Sequence, residues 1–179
     1  MSVKEVLIWP NDILEEESIP VSSDDNYAEI IKDLIDTMEA YMGVGLSAPQ
    51  IGVNKRIIVI DKNTDESMEN HLVMINPVID DGLGETASQE GCLSFPGHVF
   101  FAPRATSIFV SYLDENFRDQ TINANDFLAI AIQHEIDHLN GDLLVETVNR
   151  KQRRVIKKSL KSFKSKMKKK IDSNLHELI

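Results

Sequence analysis

Apolar positions along this chain change their period several times, and each change marks an element. Between Asn26 and Met42, the residues Tyr27, Ile30, Ile31, Leu34, Ile35, Met38, Tyr41 and Met42 recur at three and four, the spacing of one helical face. Three short runs rich in β-branched and aromatic residues, Arg56 to Asp61, His71 to Asn76 and Thr106 to Leu113, read as strands. The acidic stretch Asn63 to Asn70 and the segment Asp80-Asp81-Gly82-Leu83-Gly84 read as loops. Asn125 or Asp126 then offers an N-cap to Phe127-Leu128-Ala129-Ile130-Ala131-Ile132, and Gly141 offers a stop. This second helix is apolar nearly all round, with Ile136 and Leu139 continuing the run, which predicts burial at the centre of the domain. Strands clustered between an early and a late helix, with no internal repeat, predict an α+β fold.

That central helix contains Gln133-His134-Glu135-Ile136-Asp137-His138. Helical positions i and i+4 stand about 5 to 6 Å apart at Cβ, so His134 and His138 can reach one cation. Glu135 is turned by roughly 100° from its neighbour, which suits it to meet water at the metal as a general base. Two separately hydrogen-bonded core histidines are the alternative, but they would leave Glu135 desolvated at a cost. A catalytic centre of this type takes three protein ligands and leaves a position for water. Cys92, in Gln89-Glu90-Gly91-Cys92-Leu93-Ser94-Phe95-Pro96 on a short strand or loop, is the natural third ligand; a small buried hydrophobe is its other reading.

Glu90-Gly91-Cys92-Leu93-Ser94 and Gln133 to His138 resemble the second and third signature motifs of peptide deformylases, and Gly43-Val44-Gly45-Leu46-Ser47-Ala48-Pro49-Gln50 is similar to the first, in the same order. The resemblance spans roughly the first 150 residues. Gly43, Gly45 and Ala48 also fit a dinucleotide fingerprint, but that motif needs a preceding strand, whereas a helix precedes it here, and Pro49 has no N–H for a phosphate. The glycines instead suit close approach to a peptide ligand.

The resemblance implies that Cys92, His134 and His138 hold the metal and that Glu135 takes a proton from the attacking water. It further implies that Gln50 and the Leu93 N–H stabilise the oxyanion. Small antiparallel sheets around a central metal-binding helix are the implied fold. Removal of the formyl group from N-formylmethionyl nascent peptides is the implied reaction, with Fe2+ as the native ion and Zn2+, Ni2+ or Co2+ as replacements. Val44, Gly45, Phe127, Ile130 and Ala131 suit a methionine-sized pocket, and ordinary core packing is equally compatible with the apolar ones. Four positions depart from the family pattern: Ser47, Phe95, Ser88 and Val99. Ser47 is expected to leave the chemistry unchanged, and the departures together bear on substrate preference.

The 179 residues suit one catalytic domain over 1–149, of a size that buries about 70% of its unfolded surface, followed by a basic helical extension over 150–179. One cysteine forms no internal disulfide, nothing in Met1-Ser2-Val3-Lys4-Glu5-Val6 resembles a targeting signal, and no apolar run approaches the ~20 residues of a membrane span. A cytoplasmic setting is expected. The net charge of -10 hides an asymmetry, because residues 150–179 hold 12 of the 19 Lys and Arg against Asp172 and Glu177 alone. Val155, Ile156, Leu160, Phe163, Met167 and Ile171 form a stripe expected to pack on the catalytic body. The cations are a solvated face or contact the ribosome's RNA phosphates, where some members of the family dock a C-terminal helix; an anionic membrane surface ranks below these. A general metallopeptidase and a ribosome-associated protein with a structural metal are the competing functions. Cys92 with Gln50 argues against the first, and the lack of a second cysteine to close the site argues against the second.

Overall fold

A computed structural model describes residues 3–65 and 70–176. The helices are α1 (Tyr27–Ala40), α2 (Asp126–Asn140) and α3 (Arg150–His176). The strands are β1 (Gly45–Ser47), β2 (Ile57–Ile60), β3 (Leu72–Leu83), β4 (Thr86–Gly91), β5 (Val99–Arg104), β6 (Ser107–Leu113) and β7 (Asp119–Asn125). A five-stranded antiparallel sheet has the order β1-β2-β3-β6-β7, while β4 and β5 form a separate hairpin. The fold is α+β.

The uninterrupted apolar run of β2 has a direct cause, since both faces of that strand are covered. Ile57 and Val59 join Ile31, Leu34 and Met38 of α1 in one core. Ile58 and Ile60 join Leu128, Ala129, Ile132 and Ile136 of α2 in another. The two-residue period of the strand thus divides its side chains between two helices, with α2 on the inner side of the sheet.

One reading from sequence needs correction. Asp80 to Leu83 belong to β3, because Asp81, Gly82 and Leu83 find ladder partners in Phe109, Ile108 and Ser107 of β6, and pairing outweighs local turn chemistry. The register shifts on either side of Val78 and Ile79 accommodate the poorly strand-forming residues. The acidic stretch opens with a 3-10 turn at Lys62–Thr64; residues 66–69 of it lie outside the described residues. The strands β4, β5 and β7 lack a continuous apolar pattern, for much of each faces solvent.

α3 packs by part of its stripe. Ile156 and Leu160 are buried with Trp9, Leu14, Phe95 and Phe100, and Arg153 and Lys157 lie 5.7 and 5.6 Å from the Trp9 ring. Val155 is 64% exposed, since one residue step rotates its side chain about 100° away from Ile156. The side chain of Ile171 lies outside the described residues. Phe95, a departure from the family pattern, stacks on Trp9 at 5.8 Å and meets Phe100 edge-on at 5.2 Å, filling the space beneath α3. Among the described residues no helix is long and apolar enough to cross a membrane.

Leu160→Ala should cost about 2–5 kcal/mol in denaturant unfolding, while Val155→Ala should stay within about 0.5 kcal/mol. Equal effects would mean that α3 is not docked through this face.

Candidate metal centre and active site

Two elements that are far apart in sequence meet at the site. α2 presents His134, Glu135 and His138 one turn before its C-terminus, where Gly141 adopts a left-handed φ of 77° and its N–H returns to the carbonyls of Asp137 and His138. The turn that follows β4 presents Cys92, closed by a bond from the Phe95 N–H to the Cys92 carbonyl at 2.9 Å. Cys92 Sγ lies 3.2 Å from His138 Nε2, and the donor atoms of Cys92, His134 and His138 all lie within 4.8 Å of one another. A tetrahedral ion with usual bond lengths separates such donors by about 3.3–3.6 Å, so the trio fits one cation with small adjustments.

Glu90 aligns the first imidazole. Its Oε2 is 2.8 Å from His134 Nδ1, which leaves the other ring nitrogen for the cluster. Arg104 donates to Glu90 Oε1 through Nε at 2.8 Å and to Oε2 through Nη2 at 3.0 Å, and its Nη1 donates to Asp137 Oδ2 at 2.6 Å. Burial alone would raise the Glu90 carboxyl, but its bonds to His134 and Arg104 lower it to about 2. Burial likewise opposes a charge on His134, yet Cys92 and Glu90 hold that imidazole well above its ordinary value. Burial and the charge on His134 push His138 well below its own.

Glu135 is 4% exposed, and its Oε2 has no hydrogen-bond partner among the described residues. Burial raises its carboxyl to about 7, with the His134 charge and the Ser47 hydroxyl pulling against the rise. A carboxylate poised there can both take and return a proton at neutral pH. Gly45 makes room for it, since a Cβ at that position would stand 2.7 Å from Glu135 Oε1 and 3.0 Å from its Cγ. The close approach inferred from sequence is thus made by Glu135 within the protein itself.

Gln50, 1% exposed in the 3-10 turn Ala48–Ile51, is held at both ends of its amide. Oε1 accepts from the Ser47 N–H at 2.9 Å and the Ser47 hydroxyl at 3.0 Å, so Nε2 must face the other way. It donates to Ser94 Oγ at 3.2 Å and reaches Cys92 Sγ at 3.5 Å. Ser47, expected to be without chemical consequence, is therefore tied directly to Gln50. The N-terminal segment staples the two motifs together, with Leu7 N–H on the Gln50 carbonyl at 2.7 Å and Trp9 N–H on the Ser94 carbonyl at 3.0 Å. Leu93 lies in the Cys92 turn.

A groove of about 1410 Å³ opens over this cluster, and Val44, Gly45, Phe127, Ile130 and Ala131 all line it, as do Ser88 and Val99. Val44 and Phe127 are half exposed at its rim, whereas Ala131 is buried. Sequence reasoning missed the Arg104–Asp137 contact and gave Glu90 no task, although a carboxylate two residues before a candidate ligand was a usable sign. Arg104 carried no local sign, because its partners Glu90 and Asp137 are 14 and 33 residues away.

A cysteine sulfur, two imidazoles and a buried carboxyl group beside an open groove are the equipment of a metallohydrolase. The family model described as polypeptide deformylase matches residues 3–154. A peptide deformylase of Thermodesulfovibrio yellowstonii is 38% identical over 165 residues, covering 92% of this chain and 100% of that protein. Another, from Hamiltonella defensa, is 40% identical over 164 residues, covering 91% and 95%. The crystal structure of a peptide deformylase from Legionella pneumophila superposes with a TM-score of 0.84 at 36% identity, covering 92% of this chain and 97% of that one. The chain belongs to the polypeptide deformylase family, metal-dependent hydrolases that remove the N-formyl group from nascent peptides.

Gly45→Ala should leave folding and metal content intact while displacing the Glu135 carboxylate, with a loss of about 100-fold in kcat. An unchanged kcat would show that the carboxylate has room to retreat.

Proposed function

We propose that Cys92, His134 and His138 hold one divalent ion and that Glu135, Gln50 and Leu93 act around it to remove the formyl group from the N-terminal methionine of new polypeptides. What carries this reading is the convergence of the three donor atoms within 4.8 Å beside a buried carboxylate oxygen with no hydrogen-bond partner among the described residues. The ion, when bound, supplies a Lewis acid that polarises the formyl carbonyl and lets water lose a proton near neutral pH. Glu135 takes that proton as water adds to the formyl carbon, then returns it to the departing amine as the C–N bond breaks. The Gln50 Nε2–H and the Leu93 N–H donate to the oxygen on which negative charge collects, and Gln50 is pre-aligned for this by Ser47. Val44, Gly45, Phe127, Ile130 and Ala131 receive the methionine side chain. The products are formate and a peptide with a free amino-terminal methionine.

A thiolate ligand softens the site, which fits Fe2+ as the native ion and admits Zn2+, Ni2+ or Co2+ on the same donors. Such a thiolate is open to oxidation, which favours the reducing cytoplasm as the working place. Residues 1–149 form the catalytic unit and residues 150–179 a basic helical extension. The apolar contacts of α3 face the body, and Arg153, Lys157 and Lys164 are engaged there, which leaves exposed cations such as Lys158, Lys161 and Lys166 to meet RNA phosphates where nascent chains leave the ribosome.

Anaerobically purified protein loaded with iron should release formate from a short formyl-methionyl peptide and leave the acetylated analogue and an internal amide intact. Glu135→Gln should keep its metal and lose at least about 100-fold in turnover, whereas Cys92→Ala should lose metal. Retained turnover in the first variant, or normal metal content in the second, would overturn the roles given to those residues. Removing residues 150–179 should weaken salt-sensitive ribosome binding; equal binding with and without them would remove the docking role.

A further inference from the structure

The groove extends well past the chemistry. From the Cys92, His134 and Glu135 cluster it continues as one space to Val3, Lys4 and Val6 in the N-terminal segment and to Phe163, Lys164 and Met167 of α3. Pockets for drug-sized ligands are roughly 300–1,000 Å³, so a groove of about 1410 Å³ leaves ample room beyond a formyl-methionyl head.

The far end has its own character. The apolar stripe of α3 is covered at Ile156 and Leu160, then uncovered at Phe163 and Met167, which are 38% and 46% exposed. These two residues are four apart on one helical face, and both line the groove. The cations beside them are engaged: Lys4 pairs with Asp33 at 3.1 Å, and Lys164 donates to the Pro10 carbonyl at 3.3 Å. The same bond ties α3 to the N-terminal segment that forms the opposite wall. Glu5 also lines this end, and the other surface a ligand meets there, from Val3, Val6, Phe163 and Met167, is apolar.

We infer that this far end is a second subsite of the same groove, which binds a bulky apolar side chain of the substrate peptide downstream of its methionine. The occupant follows from continuity. A peptide whose formyl end sits at Glu135 must run onward through open groove, each extended residue advancing about 3.3–3.6 Å. α3 would then serve the substrate with its apolar face, leaving the lysine-rich faces for other contacts. This inference rests on the placement of the formyl group proposed above.

The test is a set of formyl-methionyl peptides built on a glycine–serine chain, with a single phenylalanine walked downstream one position at a time, assayed on the iron-loaded full chain. One window of positions should raise kcat/KM by about five- to tenfold through KM, the scale of partly burying one aromatic side chain. Phe163→Ser with Met167→Ser should abolish that gain and leave kinetics on the shortest peptide unchanged. A flat profile, or a gain that survives the double substitution, overturns the subsite. A parallel loss on the shortest peptide also overturns it, by showing that the two residues act through the structure of the centre. No turnover of the shortest peptide by the metal-loaded wild-type protein would overturn the proposed formyl placement and the subsite with it. Normal turnover of that peptide with a flat profile overturns the subsite alone.

Discussion

The guanidinium of Arg104, buried between Glu90 of its own hairpin and Asp137 of α2, is the contact on which the rest of the site depends. Cys92 comes from the hairpin and the histidines from the helix, so donor atoms meet only if the two elements are docked in one register. Desolvating ions is expensive, and a buried pair is tolerated when its hydrogen-bonding capacity is filled. Here Glu90 receives two bonds from Arg104 and faces His134 Nδ1, so the cost of burying it is offset on three sides. The same carboxylate sets which nitrogen of His134 faces the cluster. Docking of the hairpin and alignment of the His134 ring are thus one interaction.

Burial is the second controlling quantity. α2 lies against the β2 face that carries Ile58 and Ile60, in a core with few polar groups, and this surrounding raises Glu135 to about 7. An exposed glutamate would be a weaker base at neutral pH. Gly45 completes the arrangement by offering backbone without a side chain where the carboxylate must lie. Apolar packing that stabilises the fold therefore also tunes the Glu135 carboxyl.

α3 serves both sides of the molecule. Its buried residues close the aromatic cluster of Trp9, Phe95 and Phe100, and its next exposed apolar turn forms one wall of the groove. Phe95 accordingly belongs to the packing under α3 as well as to the Cys92 turn. This substitution in a signature motif is explained by a helix that begins more than fifty residues later.

Local periodicity and short spacing were legible in the chain. The two long helical patterns and the i, i+4 histidines follow from side-chain repeat alone, because 3.6 is a property of the helical backbone, and β2 followed from its run of β-branched residues. Cys92 was reachable because it is the one cysteine. The β3 extension was not, since Asp80 to Leu83 become strand only when β6 lies beside them. Nor were Arg104, the Gly45–Glu135 contact or the reach of Phe163 and Met167 into the groove. Each of these is an encounter between residues far apart in sequence, and local patterns carry no record of which distant side chain will arrive. The sequence by itself determined which chemical groups and which elements were present. Only the tertiary structure decided which of those groups touch, because burial and pairing energies exist only once the elements are packed.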